Sequence, residues 1–354
     1  MELAKLFKQE LNFYMKRPVI SIIIVTWNGL HHLKQYLPSL FKSVFTDFEI
    51  IIADNASDDE TQSWIKKNYP GCKIAALEKN FGYAGGNNRG AKIAEGDILL
   101  FLNNDVEVTP QWLQPVVKAF NSADTAVVQP KIRSVRNRDH FEYAGAAGGY
   151  IDWLGYPFCR GRIFDTVEID KEQYDDKANI FWASGAAFAI RKEVFNELGG
   201  FDTDFEFHME EIDLCWRALK RDYNIVYEPG SVVYHYGGGS MPENSPRKVF
   251  YNFRNSLMML LKNLDRFVAL KILTRLTLDG LSGIKFLFNG KPENMIAVIK
   301  AHFSFYMQIT SCLKKRSSTT ISNQQLVKRK LIYPKLIPFQ YFATHKRTFK
   351  QLKF

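Results

Sequence analysis

The feature that most constrains the fold is an apolar segment at residues 98–108, ILLFLNNDVEV, which stops abruptly at Asn103-Asn104-Asp105. Five consecutive apolar residues predict a β-strand that is buried on both faces, as in a parallel sheet covered by helices. Open α/β sheets bind ligands at the carboxyl ends of such strands. A carboxylate placed there can hold a divalent cation against a diphosphate, because Mg²⁺ and Mn²⁺ prefer hard oxygen ligands. Asn and Asp also suit an ordinary turn, and the segment alone leaves both interpretations open.

Strand and helix patterns alternate along the first hundred residues. The segments VISIIIVTWN, FEIIIADNASDD, CKIAALE and ILLFLNND predict strands, and amphipathic stretches between them predict helices. This βαβαβαβ order predicts an α/β fold with a mostly parallel, doubly wound sheet. Residues 134–180 are irregular and rich in Gly and Tyr, which predicts a long excursion over the site, and residues 181–240 alternate strand and helix again.

Charge divides the chain into two unlike parts. Residues 241–354 carry 21 Lys/Arg against 4 Asp/Glu, a net charge of +17, whereas residues 1–240 carry 26 against 33, a net charge of −7. A basic tail on an acidic body indicates an anionic partner surface. No nucleic-acid-binding motif accompanies it, so we expect anionic lipid and no nucleic acid. The predicted organisation is an amphipathic lead-in at 1–17, an α/β domain at 18–248 and a basic helical, membrane-associating region at 249–354.

The tail predicts contact with a membrane surface. Residues 267–288, FVALKILTRLTLDGLSGIKFLF, interleave apolar residues with Lys271, Arg275 and Lys285, as in helices that lie among lipid headgroups. An ordinary helical subdomain with a solvated face is the alternative. The N-terminus has no unbroken apolar stretch of a secretory signal, and no uncharged run reaches the roughly 18 residues of a spanning helix. Because the four widely spaced cysteines form no metal or redox pattern, we expect a cytoplasmic protein, peripheral on the inner face of the cell membrane.

Polar residues follow three of the predicted strands. Thr26 and Asn28 follow the first, Asp54 and Asn55 the second, and Asn103 to Asp105 the fourth. An acid after the second strand can accept two donors from a base or ribose, or it can cap a helix. A glycine-rich loop at 80–90 leads into a helix, where backbone amides attract anions, although a tight turn explains it equally well.

Two further segments carry candidate catalytic or metal-binding groups. Glu210, Glu211 and Asp213 crowd into four positions, and a helix would place Glu210 and Asp213 on one face. A carboxylate near a substrate hydroxyl can act as general base, while acids also favour the first turn of a helix. His235 ends a predicted strand before a glycine run, where it suits either a metal ligand or a structural role.

The order of these motifs carries a family resemblance. The segments VTWN, IADNASDD, NFGYAGGNNRG, FLNNDV, WASGAAF, GGFD, EEIDLCWR and HYGGGS follow one another as in family 2 glycosyltransferases, and residues 18–260 most resemble the bacterial rhamnosyltransferase-like branch. The resemblance implies a GT-A fold, a nucleotide-diphosphate sugar donor, a divalent cation (Mg²⁺ or Mn²⁺) and an inverting transfer.

The resemblance also implies roles for individual residues. The nucleoside would be held by Thr26, Asn28, Asp54 and Asn55, and the donor pocket would be lined by Asn80, Gly82, Asn87 and Asn104. Asp105 and His235 would bind the metal, with Asn103 standing where the family has its first acid. Glu211 lies where the family usually places an aspartate base, and Glu210 and Asp213 are the alternatives. The sugar and acceptor pocket would include Trp182, Ser184 and Gly185.

The expected function is a hexosyltransferase that moves a sugar, L-rhamnose from dTDP-rhamnose in the first instance, to a hydroxyl of a lipid-linked glycan in bacterial cell-wall or lipopolysaccharide synthesis. One alternative is a hexosyl or galactofuranosyl transferase that uses a UDP-sugar. Another is a catalytically inactive, membrane-docked scaffold that binds sugar nucleotides. The Gln-x-x-Arg-Trp motif and spanning helices of processive synthases are absent from the sequence, which predicts addition of one or a few sugars.

Overall fold

The fold, described from a computed structural model, covers residues 18–237, 245–316 and 320–354, so the predicted lead-in helix at 1–17 lies outside the described residues. The strands are, in chain order, β1 (Ile20–Thr26), β2 (Phe48–Asp54), β3 (Lys73–Ala76), β4 (Ile98–Leu102), β5 (Val106–Val108), β6 (Thr125–Ser134), β7 (Gly149–Asp152), β8 (Pro157–Cys159), β9 (Arg162–Ile163), β10 (Thr166–Val167), β11 (Ala178–Asn179), β12 (Ala187–Arg191), β13 (Asn224–His235) and β14 (Ile332–Tyr333). The helices are α1 (Leu30–Leu40), α2 (Thr61–Asn68), α3 (Gly82–Lys92), α4 (Leu113–Ala119), α5 (Lys192–Glu197), α6 (Glu210–Lys220), α7 (Pro246–Asn263), α8 (Val268–Phe288), α9 (Pro292–Lys314), α10 (Asn323–Lys328) and α11 (Ile337–Phe342).

A large mixed sheet forms the centre of the molecule, with strand order β11-β13-β6-β12-β4-β1-β2-β3 and β5 attached to β13. The pairs β1–β2, β1–β4 and β2–β3 are parallel, which confirms the predicted alternation. Isoleucine-rich β1 is buried on both faces, as expected for a strand with helices above and below. The carboxyl ends of β1, β2 and β4 therefore meet at one edge of the sheet.

The glycine-rich segment is helical, whereas the sequence predicted a loop followed by a later helix. Helix α3 begins at Gly82, and two of its glycines, Gly86 and Gly90, face β1. A β-carbon on Gly90 would stand 2.6 Å from Cγ2 of Ile23, and one on Gly86 would stand 2.9 Å from Cγ1 of Val25. Glycine is thus needed at these positions because the helix packs directly on the strand.

The excursion at 134–180 builds a second, smaller sheet with strand order β10-β9-β8-β7-β14. Its last strand comes from the C-terminal segment, since Ile332 of β14 pairs in parallel with Ile151 of β7. Phe349 and Phe354 pack their rings against Tyr150, 5.2 and 5.3 Å between centroids. The predicted helical region at 249–354 is mostly helical, and two of its residues, Ile332 and Tyr333, add the last strand of this sheet.

Helix α8 buries two charged side chains and exposes apolar ones. Arg275 and Asp279 are buried and paired at 3.5 Å, and Nη1 of Arg275 donates to the Leu154 carbonyl at 2.9 Å. Its outer face instead exposes Leu270, Leu273, Leu281, Ile284 and Phe288. The sequence placed Arg275 among lipid headgroups, and the structure corrects this because Arg275 anchors α8 to the second sheet. Within the described ranges, no helix has both the length and the apolarity needed to cross a bilayer.

Candidate active site

Asparagine side chains organise the end of β1. Asn104, which follows β4, donates from Nδ2 to Oγ1 of Thr26 at 3.1 Å. Asn28 adopts a left-handed backbone conformation, with φ of 49°, and its Oδ1 accepts from the Asp58 amide at 2.8 Å. The predicted donor residues of β1 and β4 are thus brought together at the sheet edge.

The end of β2 is joined to the start of α3 through Asn55. Its Nδ2 donates to the Gly82 carbonyl at 3.0 Å, and its Oδ1 accepts from the Phe81 amide at 3.3 Å. Asn80 accepts from the Gly82 amide at 2.9 Å, which fixes the turn into the helix. Asp54 is fully buried, and its two oxygens accept from Ser57 and Gln62. As described, Asp54 shapes this loop, and contact with a nucleoside requires the Gln62 amide to move.

Helix α3 also reaches the opposite wall of the site. Asn87 is buried on α3, one turn after Tyr83. The Tyr83 hydroxyl donates to the Gly185 carbonyl at 2.7 Å, and burial raises its pKa well above the ordinary value. Gly185 therefore marks the place where the donor side of the site meets the segment before β12.

Asp105 and His235 are brought together by strand register. His235 ends β13 opposite Val106 of β5, and its Nε2 lies 3.1 Å from Oδ1 of Asp105. Asn103 also contacts His235, with 3.3 Å between Nδ2 and Nε2. Both residues of the predicted metal pair are buried, and the fold brings them together although 129 residues separate them in the sequence.

Glu142 also contacts His235, and we call the cluster of Asp105, His235 and Glu142 the metal corner. The sequence analysis did not identify Glu142. Its Oε2 lies 3.4 Å from Nδ1 of His235 and also accepts from the Ala144 amide. Burial alone would lower the pKa of His235, but the carboxylates of Asp105 and Glu142 raise it to about 10. Glu142 lies in an irregular segment outside any motif. Its negative charge, which suits a partner for His235, is the one signal in the sequence that could have indicated it.

These residues suit a divalent cation. Two cis ligands at about 2.1 Å from an octahedral ion lie about 3 Å apart, close to the separation of the His235 and Asp105 donor atoms. A carboxylate behind the other ring nitrogen is the usual partner of a metal-ligating histidine. Among the described residues no set of three or more His, Cys, Asp or Glu side chains could hold a metal by itself. The remaining positions would therefore fall to the diphosphate and water, as is common for Mg²⁺.

Two glutamates at the start of α6 are the candidate bases. Oε2 of Glu210 and Oε2 of Glu211 are buried and have no hydrogen-bond partner within the described ranges. Burial raises the pKa of Glu211 to about 7, opposed by backbone amides that include that of Gly185. Burial and the neighbouring Glu211 raise the pKa of Glu210 well above its usual range. Glu211 is therefore the carboxyl that ionises near neutral pH.

The turn before these glutamates has a strained backbone. His208 and Met209 both have positive φ, 67° and 74°, which is costly for side chains of this size and is concentrated at functional sites. Asn255 of α7 holds the turn, with Nδ2 at 2.7 Å from the Phe205 and Phe207 carbonyls and 2.8 Å from that of His208. Sequence reasoning also missed Asn255, because its partners lie about 50 residues away.

Three predicted site residues are held by contacts within the protein. Asp213 is fully buried and is bonded to Arg217, Lys262 and Asn263, so no oxygen is free to act as a base. Trp182 packs over Gly149 and donates to the Tyr150 carbonyl at 2.9 Å. Ser184 donates to the Ala144 carbonyl at 2.7 Å. Within the predicted acceptor pocket, the Gly185 amide contacts Glu211.

Solved structures with a similar fold are sugar-nucleotide enzymes. GalNAc-T7, solved with UDP, GalNAc and Mn²⁺, superposes with a TM-score of 0.52 at 21% identity, covering 68% of this chain and 51% of that chain. The mannosyltransferase PcManGT from Pyrobaculum calidifontis, in complex with GDP-Man and Mn²⁺, gives a TM-score of 0.50 at 14% identity, covering 82% and 88%. The fold is that of the GT-A glycosyltransferases. Residues 21–199, half of the chain, match the model of Glycosyl transferase family 2, and the chain belongs to that family.

Curated relatives differ in donor and organism. The chain is 26% identical over 236 residues to the N-acetylglucosaminyl-diphospho-decaprenol L-rhamnosyltransferase of Mycobacterium tuberculosis, covering 62% of this chain and 76% of that protein. It is 23% identical over 294 residues to the low-salt glycan biosynthesis hexosyltransferase Agl10 of Haloferax volcanii, covering 79% and 88%. An uncharacterised Sinorhizobium fredii protein, y4gI, is 26% identical over 255 residues, and the chain spans only 26% of its length.

Proposed function

We propose that this glycosyltransferase moves a hexose with inversion from a nucleotide-diphosphate donor, dTDP-L-rhamnose in the first instance, to a hydroxyl of a lipid-linked glycan in surface polysaccharide synthesis. The observation that carries the proposal is the Glu210–Glu211 pair, in which each Oε2 is buried without a partner among the described residues and the Gly185 amide contacts Glu211. Unpaired buried carboxyls are costly, and perturbed carboxyls of this kind concentrate at catalytic sites. The sequence similarity to a rhamnosyltransferase supports the choice of donor.

Glu211 acts as the general base. With a pKa of about 7 it is substantially ionised at neutral pH and can take the proton of an acceptor hydroxyl. The hydroxyl oxygen then forms a bond to the anomeric carbon as the bond from that carbon to the diphosphate oxygen breaks. A single displacement inverts the anomeric centre, the proton stays on Glu211, and the nucleoside diphosphate leaves. This route needs no protein nucleophile.

The donor lies along the carboxyl ends of β1, β2 and β4. Thr26, Asn28 and Asn55 shape the nucleoside side of this edge, and Asp54 fixes the loop around it. Asp105 and His235 would hold a Mg²⁺ or Mn²⁺ ion, with Glu142 behind His235. When bound, such an ion neutralises the charge that develops on the leaving diphosphate.

The protein binds the membrane through an apolar surface formed by α8 and α9. Leu270, Leu273 and Leu281 of α8 are each more than half exposed, and the stripe continues on α9 with Ile299, Phe303 and Met307. Monomeric soluble proteins rarely expose contiguous apolar surface of this size. The basic residues Arg266, Lys285, Lys291 and Lys300 are exposed in these two helices or directly before them, against one exposed acid, Glu293. Apolar side chains bordered by cations suit the headgroup region of an anionic bilayer.

The decisive experiment is calorimetric binding of a panel of nucleotide sugars, with and without Mn²⁺. Metal-dependent binding of dTDP-rhamnose in preference to UDP-sugars is the expected result, followed by transfer to a lipid-linked acceptor. Preference for a UDP-hexose would retain the mechanism and replace the donor. UDP-hexoses belong in the panel because the chain is similar to the hexosyltransferase Agl10. Binding of none of the donors would contradict the proposal and favour a membrane-docked scaffold.

A further inference from the structure

A groove separates the start of α7 from the first turns of α9. Its volume is about 470 Å³, within the range of small-ligand sites. The side chains of Phe250, Ile296 and Ala297 form an apolar wall, and Arg247 and Lys300 lie at its rim. None of these residues belongs to the donor edge or to the metal corner.

One end of the groove leads toward the candidate base. The Arg247 guanidinium lies 5.7 Å from the centre of the Phe207 ring, and that ring stands 3.6 Å from the place of a β-carbon on Gly82. The Tyr251 hydroxyl donates to Oε2 of Glu206 at 2.7 Å, which ties the groove to the strained turn before Glu210 and Glu211. A ligand that enters the groove at this end therefore approaches the turn that leads to Glu210 and Glu211.

The other end opens onto the membrane-facing surface. Ile296 lines the groove and is 52% exposed, and the apolar stripe of α9 continues from it through Ile299 and Phe303. The groove wall and the apolar stripe of α9 are therefore continuous at Ile296, with Lys300 beside the path that a hydrocarbon chain would follow into the groove. This continuity favours a lipid over a water-soluble ligand.

The rim charges favour an anionic group at the inner end of that lipid. Within the described ranges, Arg247 and Lys300 form no ion pair with a protein acid, and Glu293 is the one acid among the groove residues. A guanidinium and an ammonium without protein counter-ions suit phosphate oxygens.

We propose that this groove binds the anchor of the acceptor, an isoprenoid chain ending in a diphosphate, with the chain against Phe250 and Ile296 and the diphosphate between Arg247 and Lys300. The inference rests on the proposed transfer to a lipid-linked glycan. It assigns the recognition of the anchor to α7 and α9, so that the attached sugar reaches Glu211 while the lipid stays in contact with the bilayer.

The test uses farnesyl diphosphate as a short, soluble probe, titrated into the full chain without vesicles. The wild type should bind the probe more tightly than inorganic pyrophosphate. The double variant Arg247→Gln/Lys300→Gln and the groove-filling variant Ile296→Trp should each lower the affinity at least tenfold. The matched controls are Lys291→Gln and Ile299→Trp, exposed positions in or next to α9 that do not line the groove. Thermal unfolding monitors the integrity of every variant.

The outcomes separate the groove from the proposed function. Unchanged affinity in both groove variants, equal losses in the controls, or no binding by the wild type would overturn the groove assignment, even if sugar transfer to a lipid-linked acceptor proceeds. Groove-dependent binding of farnesyl diphosphate supports the assignment, even if no donor is found. Binding to phosphatidylglycerol vesicles should fall no more for Arg247→Gln/Lys300→Gln than for Lys285→Gln/Lys291→Gln, a double variant outside the groove with the same change in charge, because bulk headgroups are not the ligand of the groove. A larger loss of vesicle binding that matches the loss of farnesyl diphosphate binding would also overturn the assignment.

Discussion

Glu211 is the residue on which the chemistry depends. Replacement by Gln keeps its shape but removes proton acceptance, so Glu211→Gln should lower kcat at least ~100-fold and leave donor affinity near the wild-type value. Steady-state kinetics and donor calorimetry measure both effects. Glu210→Gln is the matched control, since it removes the neighbouring buried carboxyl and leaves Glu211 in place. Full turnover by Glu211→Gln would exclude Glu211 as the base.

The same carboxyl predicts a pH dependence. Burial raises the pKa of Glu211 to about 7, and only its ionised form accepts a proton. The value of kcat/KM should therefore fall about tenfold per pH unit below pH 7 and level off above it. A pH–rate profile at saturating Mn²⁺ tests this, with the free donor checked for stability at each pH. An acid limb centred near pH 4.5, the range of an ordinary glutamate, would contradict the role given to burial.

Glu142 should govern metal affinity without touching substrate. Its carboxylate orients His235 through Nδ1, so Glu142→Gln should weaken Mn²⁺ binding about tenfold or more. Electron paramagnetic resonance of free Mn²⁺ measures the affinity in the absence of donor. Glu107→Gln is the control, because Glu107 follows Asp105 by two residues and pairs with Arg138 instead of His235. Equal losses in the two variants would indicate a general effect of charge.

At this scale, the sequence identifies some site residues but does not reveal their partners. Asp105 and His235 each end a predicted strand, yet their contact depends on the register of β5 with β13, which no local pattern encodes. Asp213 was placed among the catalytic acids because it crowds Glu210 and Glu211. Arg217 pairs with it from one turn later, but Lys262 and Asn263, which also bond its carboxylate, lie on α7 about 50 residues later. Long-range pairing of this kind cannot be read from spacing.

Among the elements, α7 positions the catalytic turn. Asn255→Ala removes the amide that contacts three carbonyls of residues 205–208, so the positive-φ backbone at His208 and Met209 loses its support. We expect kcat to fall, KM for the donor to stay nearly constant, and the free energy of unfolding to drop by about 1–3 kcal/mol. Asn252→Ala, one turn earlier on the partly exposed side of α7, is the control. A loss of stability with unchanged kcat would assign Asn255 a purely structural role.

Elements with a strong local pattern were predictable, and elements completed by distant partners were not. Strands β1, β2 and β4 follow from their apolar runs, because both faces of the strand are buried. The sequence analysis predicted that helix α3 begins later than it does, because glycines are typical of loops. Their packing against β1, which favours glycine in this helix, is visible only in the structure. Strand β14 has two residues and no pattern, and it exists because β7 offers a free edge.

For the whole molecule, the basic tail and the acidic body are parts of one folded unit. The C-terminal segment returns to the second sheet through β14, while α8 and α9 carry the exposed apolar stripes. The groove lies between α7 and α9, with the turn before the candidate base of α6 at one end and the apolar surface at the other. Association with a bilayer would therefore present the groove to lipid and keep the donor edge of the sheet accessible to soluble nucleotide sugars.

Membrane association should depend on the apolar face more than on the tail charge alone. The triple variant Leu273→Ser/Leu281→Ser/Phe303→Ser removes three exposed side chains, each worth about 1 kcal/mol when transferred to hydrocarbon, so affinity for anionic vesicles should fall ~100-fold. Flotation with phosphatidylglycerol vesicles measures the effect, and raised salt should weaken wild-type binding further because the surrounding lysines act through screened charges. Donor affinity should not change, since these residues lie away from the sheet edge. The matched control replaces three exposed apolar residues elsewhere in the fold, Val44→Ser/Ile93→Ser/Ile169→Ser. If both triple variants float with the vesicles as the wild type does, the basic residues alone hold the protein at the bilayer and the apolar face has another partner.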